Sequence, residues 1–119
     1  MLFRSDHSVI TKLGEDTAPE LVPELLGLYI EDTKRRVVEL KAAIEAQDLA
    51  KIEHETHTMA SSAAMHGAMK LFALARQSEE QCRENNQSNA IDTAKQVVDV
   101  AEASFAVLNN VIAKQAETL

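Results

Sequence analysis

The sequence predicts an all-α protein, an antiparallel four-helix bundle with a short additional N-terminal helix, and three observations carry that expectation. Apolar residues recur at spacings of three and four along almost the whole chain and nowhere alternate over a strand's length. Aromatics make up 3% of the residues and tryptophan is absent, so the core must come from Leu, Ile, Val, Met and Ala, a mixture that suits packed helices better than a sheet. The connections between periodic stretches are short, as in bundles whose consecutive helices run antiparallel.

Taken in order, a short helix is expected from Asp6 to Leu13, with Val9, Ile10 and Leu13 as its apolar face, Gly14 as its stop, and a place as a lid on one end of the bundle. Thr17-Ala18-Pro19-Glu20 has the layout of a capping box, although Pro23 moves the start of the next helix toward Val22. That long helix carries Val22, Leu25, Leu26, Tyr29, Val37, Leu40 and Ile44 on one face and ends near Gln47. Lys34-Arg35-Arg36 interrupts it as a solvated basic cluster. Asp48 can cap a third helix whose core positions are Leu49, Ile52, Met59 and Ala63 and which runs to Gly67. A fourth carries Leu71, Phe72, Leu74, Ala75 and Cys82 and fades in the polar run Arg83 to Asn89, which reads as a loop. The last carries Ile91, Ala94, Val97, Val98, Ala101, Phe105, Leu108 and Ile112.

Composition narrows the function classes. The 119 residues, 45% hydrophobic, suit one domain spanning 1–119. Twelve basic against 19 acidic residues leave a net charge of -7, which argues against nucleic acid as a partner. Cys82 is the single cysteine, which excludes an internal disulfide framework and fits a small core residue in a reducing compartment. No segment approaches the roughly 20 apolar residues of a membrane span and the N-terminus lacks a signal-peptide run, so no membrane association and a cytoplasmic location are expected.

Three of the four histidines lie in the stretch HETHTMASSAAMHGA, residues 54 to 68. At about 100° of helical advance per residue, the core positions Ile52, Met59 and Ala63 fall roughly 200° to 240° around the axis from His57. His57 is therefore expected in solvent near the middle of its helix. The same arithmetic sets Glu53, His54, Ala60, Ser61 and Ala64 within roughly 60° of it, a surface of mostly small side chains that another protein can approach closely. His66 faces the other way, toward the bundle, where a backbone carbonyl near the helix end can satisfy it. His7 has no evident partner, and His54 either tunes His57 or is simply solvated.

The run around His57 resembles the phosphorylation motif of histidine-containing phosphotransfer domains of bacterial phosphorelays. That motif has the form His-x-Leu-Lys-Gly-Ser-Ala, with Gly-Ala ten and eleven residues past the histidine. Here it reads His57-Thr58-Met59-Ala60-Ser61-Ser62-Ala63, with Gly67-Ala68 at those offsets. The similarity extends to an Ala-x-x-x-Asp-Leu segment before the histidine helix, whose counterpart here is Ala42-Ala43-Ile44-Glu45-Ala46-Gln47-Asp48-Leu49 with the alanine one residue out of register, and to Leu71 after the Gly-Ala pair. It departs at the motif's lysine, which is Ala60 here, and at its glycine, which is Ser61. The missing charge would have to come from Lys70 or another cation.

The resemblance implies a free-standing phosphorelay intermediate with no kinase or receiver attached, most simply a monomer. It would accept a phosphoryl group on His57 from a receiver-domain aspartate of a hybrid sensor histidine kinase and pass it to the receiver of a response regulator. It implies no cofactor and no enzyme activity of its own, since the receiver partners supply the metal and the acidic residues. Glu53, His54, Ala60, Ser61, Ala64, Gly67 and Lys70 would support or surround the phosphorylated histidine. A hydrogen bond from one ring nitrogen to Glu53 would set the tautomer and free the other nitrogen to attack.

Two rivals stand beside this reading. A metal-binding bundle is disfavoured, because His54-Glu55-Thr56-His57 is one residue short of a zinc-protease motif and no Glu-x-x-His pairs suit a di-iron site. The other is an interaction module that docks receiver or kinase domains without carrying phosphate, with Ala60 marking the loss of transfer.

Overall fold

A proline with no N–H to contribute fits the first turn of a helix, and Pro23 sits there in α1, Val22–Glu45. Three further helices follow: α2, Leu49–Met65; α3, Met69–Arg83; and α4, Gln87–Thr118. The computed structural model describes residues 21–66 and 68–118. The expected helix from Asp6 to Leu13, the Thr17 capping box, His7 and Gly67 lie outside the described residues.

The connections are tight because α1, α2 and α3 each end in a compact hydrogen-bonded cap. After α1, Gln47 turns into the left-handed region at φ 54°, with Gln47 N donating to Ile44 O at 3.1 Å and Asp48 N to Ala43 O at 3.0 Å. Asn85, at φ 60°, repeats the device after α3, with Asn86 N donating to Gln81 O at 2.9 Å. Asparagine tolerates this conformation; glutamine is strained by about 1–2 kcal/mol. Glycine relieves that strain and loses about 0.5–1 kcal/mol of backbone entropy. Gln47→Gly is therefore expected to raise stability by about 0.5–1 kcal/mol in urea denaturation.

Asp48 caps α2 as its sequence position suggests, its side chain accepting from Lys51 N at 3.2 Å. Asp48→Ala should cost about 1 kcal/mol, read as a lower urea midpoint at unchanged slope.

The polar run read as a loop from Arg83 to Asn89 is a correction. The cap around Asn85 closes the turn within three residues, and Ala90 N already donates to Asn86 O at 2.9 Å. Gln87, Ser88 and Asn89 are exposed in the first turn of α4, while Ala90 is fully buried. Polarity there marks a solvated helix face.

The helices pack in a ring, α1 beside α2 and α4, and α3 beside α2 and α4, in a body 48 × 21 × 20 Å. The main core joins Leu40, Ile52, Ala63, Leu71, Ala75, Ala94, Val97 and Ala101, all at most 1% exposed. A second cluster, Leu26, Tyr29, Ile30 and Leu108, binds α1 to α4. The basic cluster on α1 divides. Lys34 and Arg35 are exposed, whereas Arg36 is half-buried, donates to Asp32 at 2.9 Å and lies 3.8 Å from the buried Glu55 of α2.

Candidate functional site

α2 buries Ile52, Thr56, Met59 and Ala63 on one side and lifts His57 out on the other, so the imidazole stands 56% exposed in the middle of the helix. Its Nδ1 lies 2.7 Å from Oε2 of Glu79 on α3. Glu79 is 1% exposed. A buried carboxylate is tolerated when charges and donors surround it, and here Arg83 donates from its NH2 group to the same Oε2 at 2.6 Å while Arg76 lies 3.5 Å from Oε1.

This network assigns the tautomer. Arginine can only donate and an ionised carboxylate can only accept, so the hydrogen in the bond to His57 sits on Nδ1. Nε2 then carries the lone pair and has no hydrogen-bond partner among the described residues. The site is an exposed nucleophilic nitrogen on a ring whose orientation is held from below by a buried anion.

Glu79 replaces Glu53 in the role expected from sequence. Glu53 Oε2 instead accepts from Arg83 Nε at 3.3 Å, so both carboxylates bind one guanidinium. The legible signal for Glu79 was its place in the apolar stripe of α3, with Leu71 and Ala75 before it and Cys82 after it. An acid in such a stripe requires a partner, and Arg83 is at the helical i+4 position.

The other expected residues divide. Glu53, His54, His57, Glu79 and Arg83, with Ala50, line one shallow cleft. Ser61 and Ala64 are exposed, and Ser61 Oγ bonds back to the carbonyl of His57 at 3.2 Å. Ala60 is a correction: at 1% exposed it belongs to the core and adds nothing to a docking surface. Helix–helix contact extends further round α2 than a count of degrees from Ile52 and Met59 suggests, because α2 packs on both α1 and α3. Lys70 is exposed in the first turn of α3 and does not line the cleft. His66 meets its expectation, with Nδ1 2.9 Å from the Ser62 carbonyl and its ring stacked on Tyr29 at 4.3 Å. Burial, with Glu53 and Glu79 nearby, pushes the Cys82 thiol up to about 11, so it stays protonated beneath the cleft. No group of three or more metal-ligating side chains occurs among the described residues.

The sequence model of the Hpt domain matches residues 24–114. The chain belongs to the Hpt domain family. Hpt proteins are phosphorelay intermediates, and that role comes to this chain with its membership. This Hpt chain is 27% identical over 111 residues to histidine-containing phosphotransfer protein 1 of Oryza sativa subsp. japonica, covering 92% of this chain and 73% of that protein. Its fold resembles the crystal structure of histidine-containing phosphotransfer protein B (HptB) from Pseudomonas aeruginosa PAO1, with a TM-score of 0.76 and 23% identity. That match covers 94% of this Hpt chain and 93% of the other. No helix among the described residues is long and apolar enough to cross a membrane.

Proposed function

We propose that this phosphorelay intermediate carries its phosphoryl group on Nε2 of His57, taking it from a receiver-domain aspartate of a hybrid sensor kinase and passing it to the receiver of a response regulator in the cytoplasm. The observation that carries the reading is the Nδ1 to Glu79 bond, which leaves an oriented, unbonded Nε2 on an exposed ring.

Phosphoryl transfer needs in-line approach and charge neutralisation more than a base. This chain provides the nucleophile and its orientation. The receiver domain provides the divalent cation and the acidic residues that hold it, which is why the chain is not itself an enzyme. Exposed Ser61 and Ala64, one turn or two beyond His57, are small enough to admit a partner surface close to the ring.

The test is phosphoryl transfer from phosphorylated receiver domains of the host to this protein, with the label scored for acid lability. Rapid labelling by at least one receiver is expected. Binding without labelling across the full set would leave a docking module and remove the reading.

A further inference from the structure

The proposed function uses the free lone pair of Nε2 and leaves open what the ring does once that nitrogen is bonded to phosphorus. Two forms are then available. One keeps the Nδ1 hydrogen and is a ring cation; the other loses it and presents a bare lone pair at Nδ1. The second form is opposed by the site. It would set that lone pair 2.7 Å from Oε2 of Glu79, two acceptors at hydrogen-bond distance. Oε2 is held in place by Arg83 at 2.6 Å, and the carboxylate is 1% exposed, so water has little room to enter between the two atoms. Both groups stay where they are only if the hydrogen stays between them.

We infer that Glu79 keeps the Nδ1 hydrogen on the ring through the whole phosphorylation cycle, so that the phosphohistidine is held as a ring cation whose P–N bond breaks without delivery of a proton. The inference rests on His57 as the phosphorylated residue and deepens that reading by making Glu79 a positioning residue for the leaving group.

The bookkeeping of atoms is simple. In loading, the Nε2 lone pair forms the N–P bond and the P–O bond to the donor aspartate breaks, its electron pair leaving with the carboxylate. In unloading, a carboxylate oxygen of the acceptor attacks phosphorus, the P–N bond breaks, and its electron pair returns to Nε2. The ring departs as neutral imidazole with its hydrogen already on Nδ1. A ring that had lost that hydrogen would have to leave as an anion or wait for a proton, and its phosphoryl group would be correspondingly slow to move.

Other charges near the ring do not reverse this. The cleft is lined from α2 by Glu53 and His54 and from α3 by Glu79 and Arg83; none of the described residues of α1 or α4 lines it. Arg76 reaches Glu79 from α3 at 3.5 Å, and the Cys82 thiol beneath is neutral. Arg76 and Arg83 oppose a ring cation but are more than half exposed and screened by solvent, whereas Oε2 touches Nδ1 directly.

The experiment loads the ¹⁵N-labelled protein with phosphoramidate, which transfers its phosphoryl group to imidazole with loss of ammonia and needs no receiver. Ring ¹⁵N shifts and the rate of phosphate loss are then followed from about pH 6 to about pH 9. The wild type is expected to keep its Nδ1 hydrogen and a nearly flat rate over that range. Glutamine at position 79 can accept from Nδ1–H or turn its amide and donate to the bare nitrogen. Glu79→Gln should therefore lose the hydrogen on the alkaline side, its rate falling by about tenfold per pH unit there. The wild-type titration stands without the variant: loss of the hydrogen where free phosphohistidine loses its own overturns the inference, as do identical profiles for the two proteins. Failure of every receiver to label a protein that phosphoramidate loads would instead strike the proposed relay role and leave this inference intact.

Discussion

His57→Gln is expected to lower receiver-dependent labelling by more than about a thousandfold, to the level of background, because it removes the one nucleophile the transfer needs. Glutamine is the informative replacement. Its amide can donate to Oε2 of Glu79 in place of Nδ1, so the buried carboxylate keeps its donors, whereas alanine would strand it and mix a stability defect with the chemical one. The side chain replaced is 56% exposed, so unfolding free energy should move by no more than about 0.5–1 kcal/mol. Binding to the same receivers should persist, as measured by titration calorimetry. Retained acid-labile label in this variant would move the phosphorylated site away from His57.

The second large effect is expected at Ile52, fully buried on the face of α2 away from the imidazole. Ile52→Ala removes side-chain volume from the main core and should cost about 2–5 kcal/mol, measured as a drop in the urea midpoint. Set against the roughly 5–15 kcal/mol that holds a small domain together, that is a large share. The variant should still accept phosphate in proportion to its folded fraction, since Ile52 belongs to the core and not to the lining of the cleft. A loss of labelling in protein that circular dichroism shows to be fully folded would contradict this division between the two faces of α2. The pair of variants thus separates chemistry from stability on one helix.

Much of the bundle was legible in local chemistry. The four described helices follow from apolar spacing, Asp48 caps α2 where its side chain can reach the free N–H groups, and the exposure of His57 follows from its angle to Ile52 and Met59. The motif around His57 pointed to the phosphotransfer family that the domain match then established. At the first turn of α4 composition does not tell a polar loop from a polar helix face; only the buried Ala90 and the Asn86 carbonyl bond distinguish them.

The support of the ring was decided elsewhere. Glu53 is a turn away from His57 on the same helix and was the natural partner by sequence spacing, yet the bond goes to Glu79, 22 residues on. What selects Glu79 is the register of α3 against α2, which pack with small buried residues between them: Ala60 and Ala63 on α2, Ala75 on α3 and Ala68 just before it. Helical periodicity is a local property and can be counted along a sequence; the meeting of two side chains across an interface depends on how every residue between them packs. Residue spacing along α2 is enough to expose a histidine on a helix of this bundle. Which carboxylate holds that histidine is chosen by packing between helices and not by spacing within one.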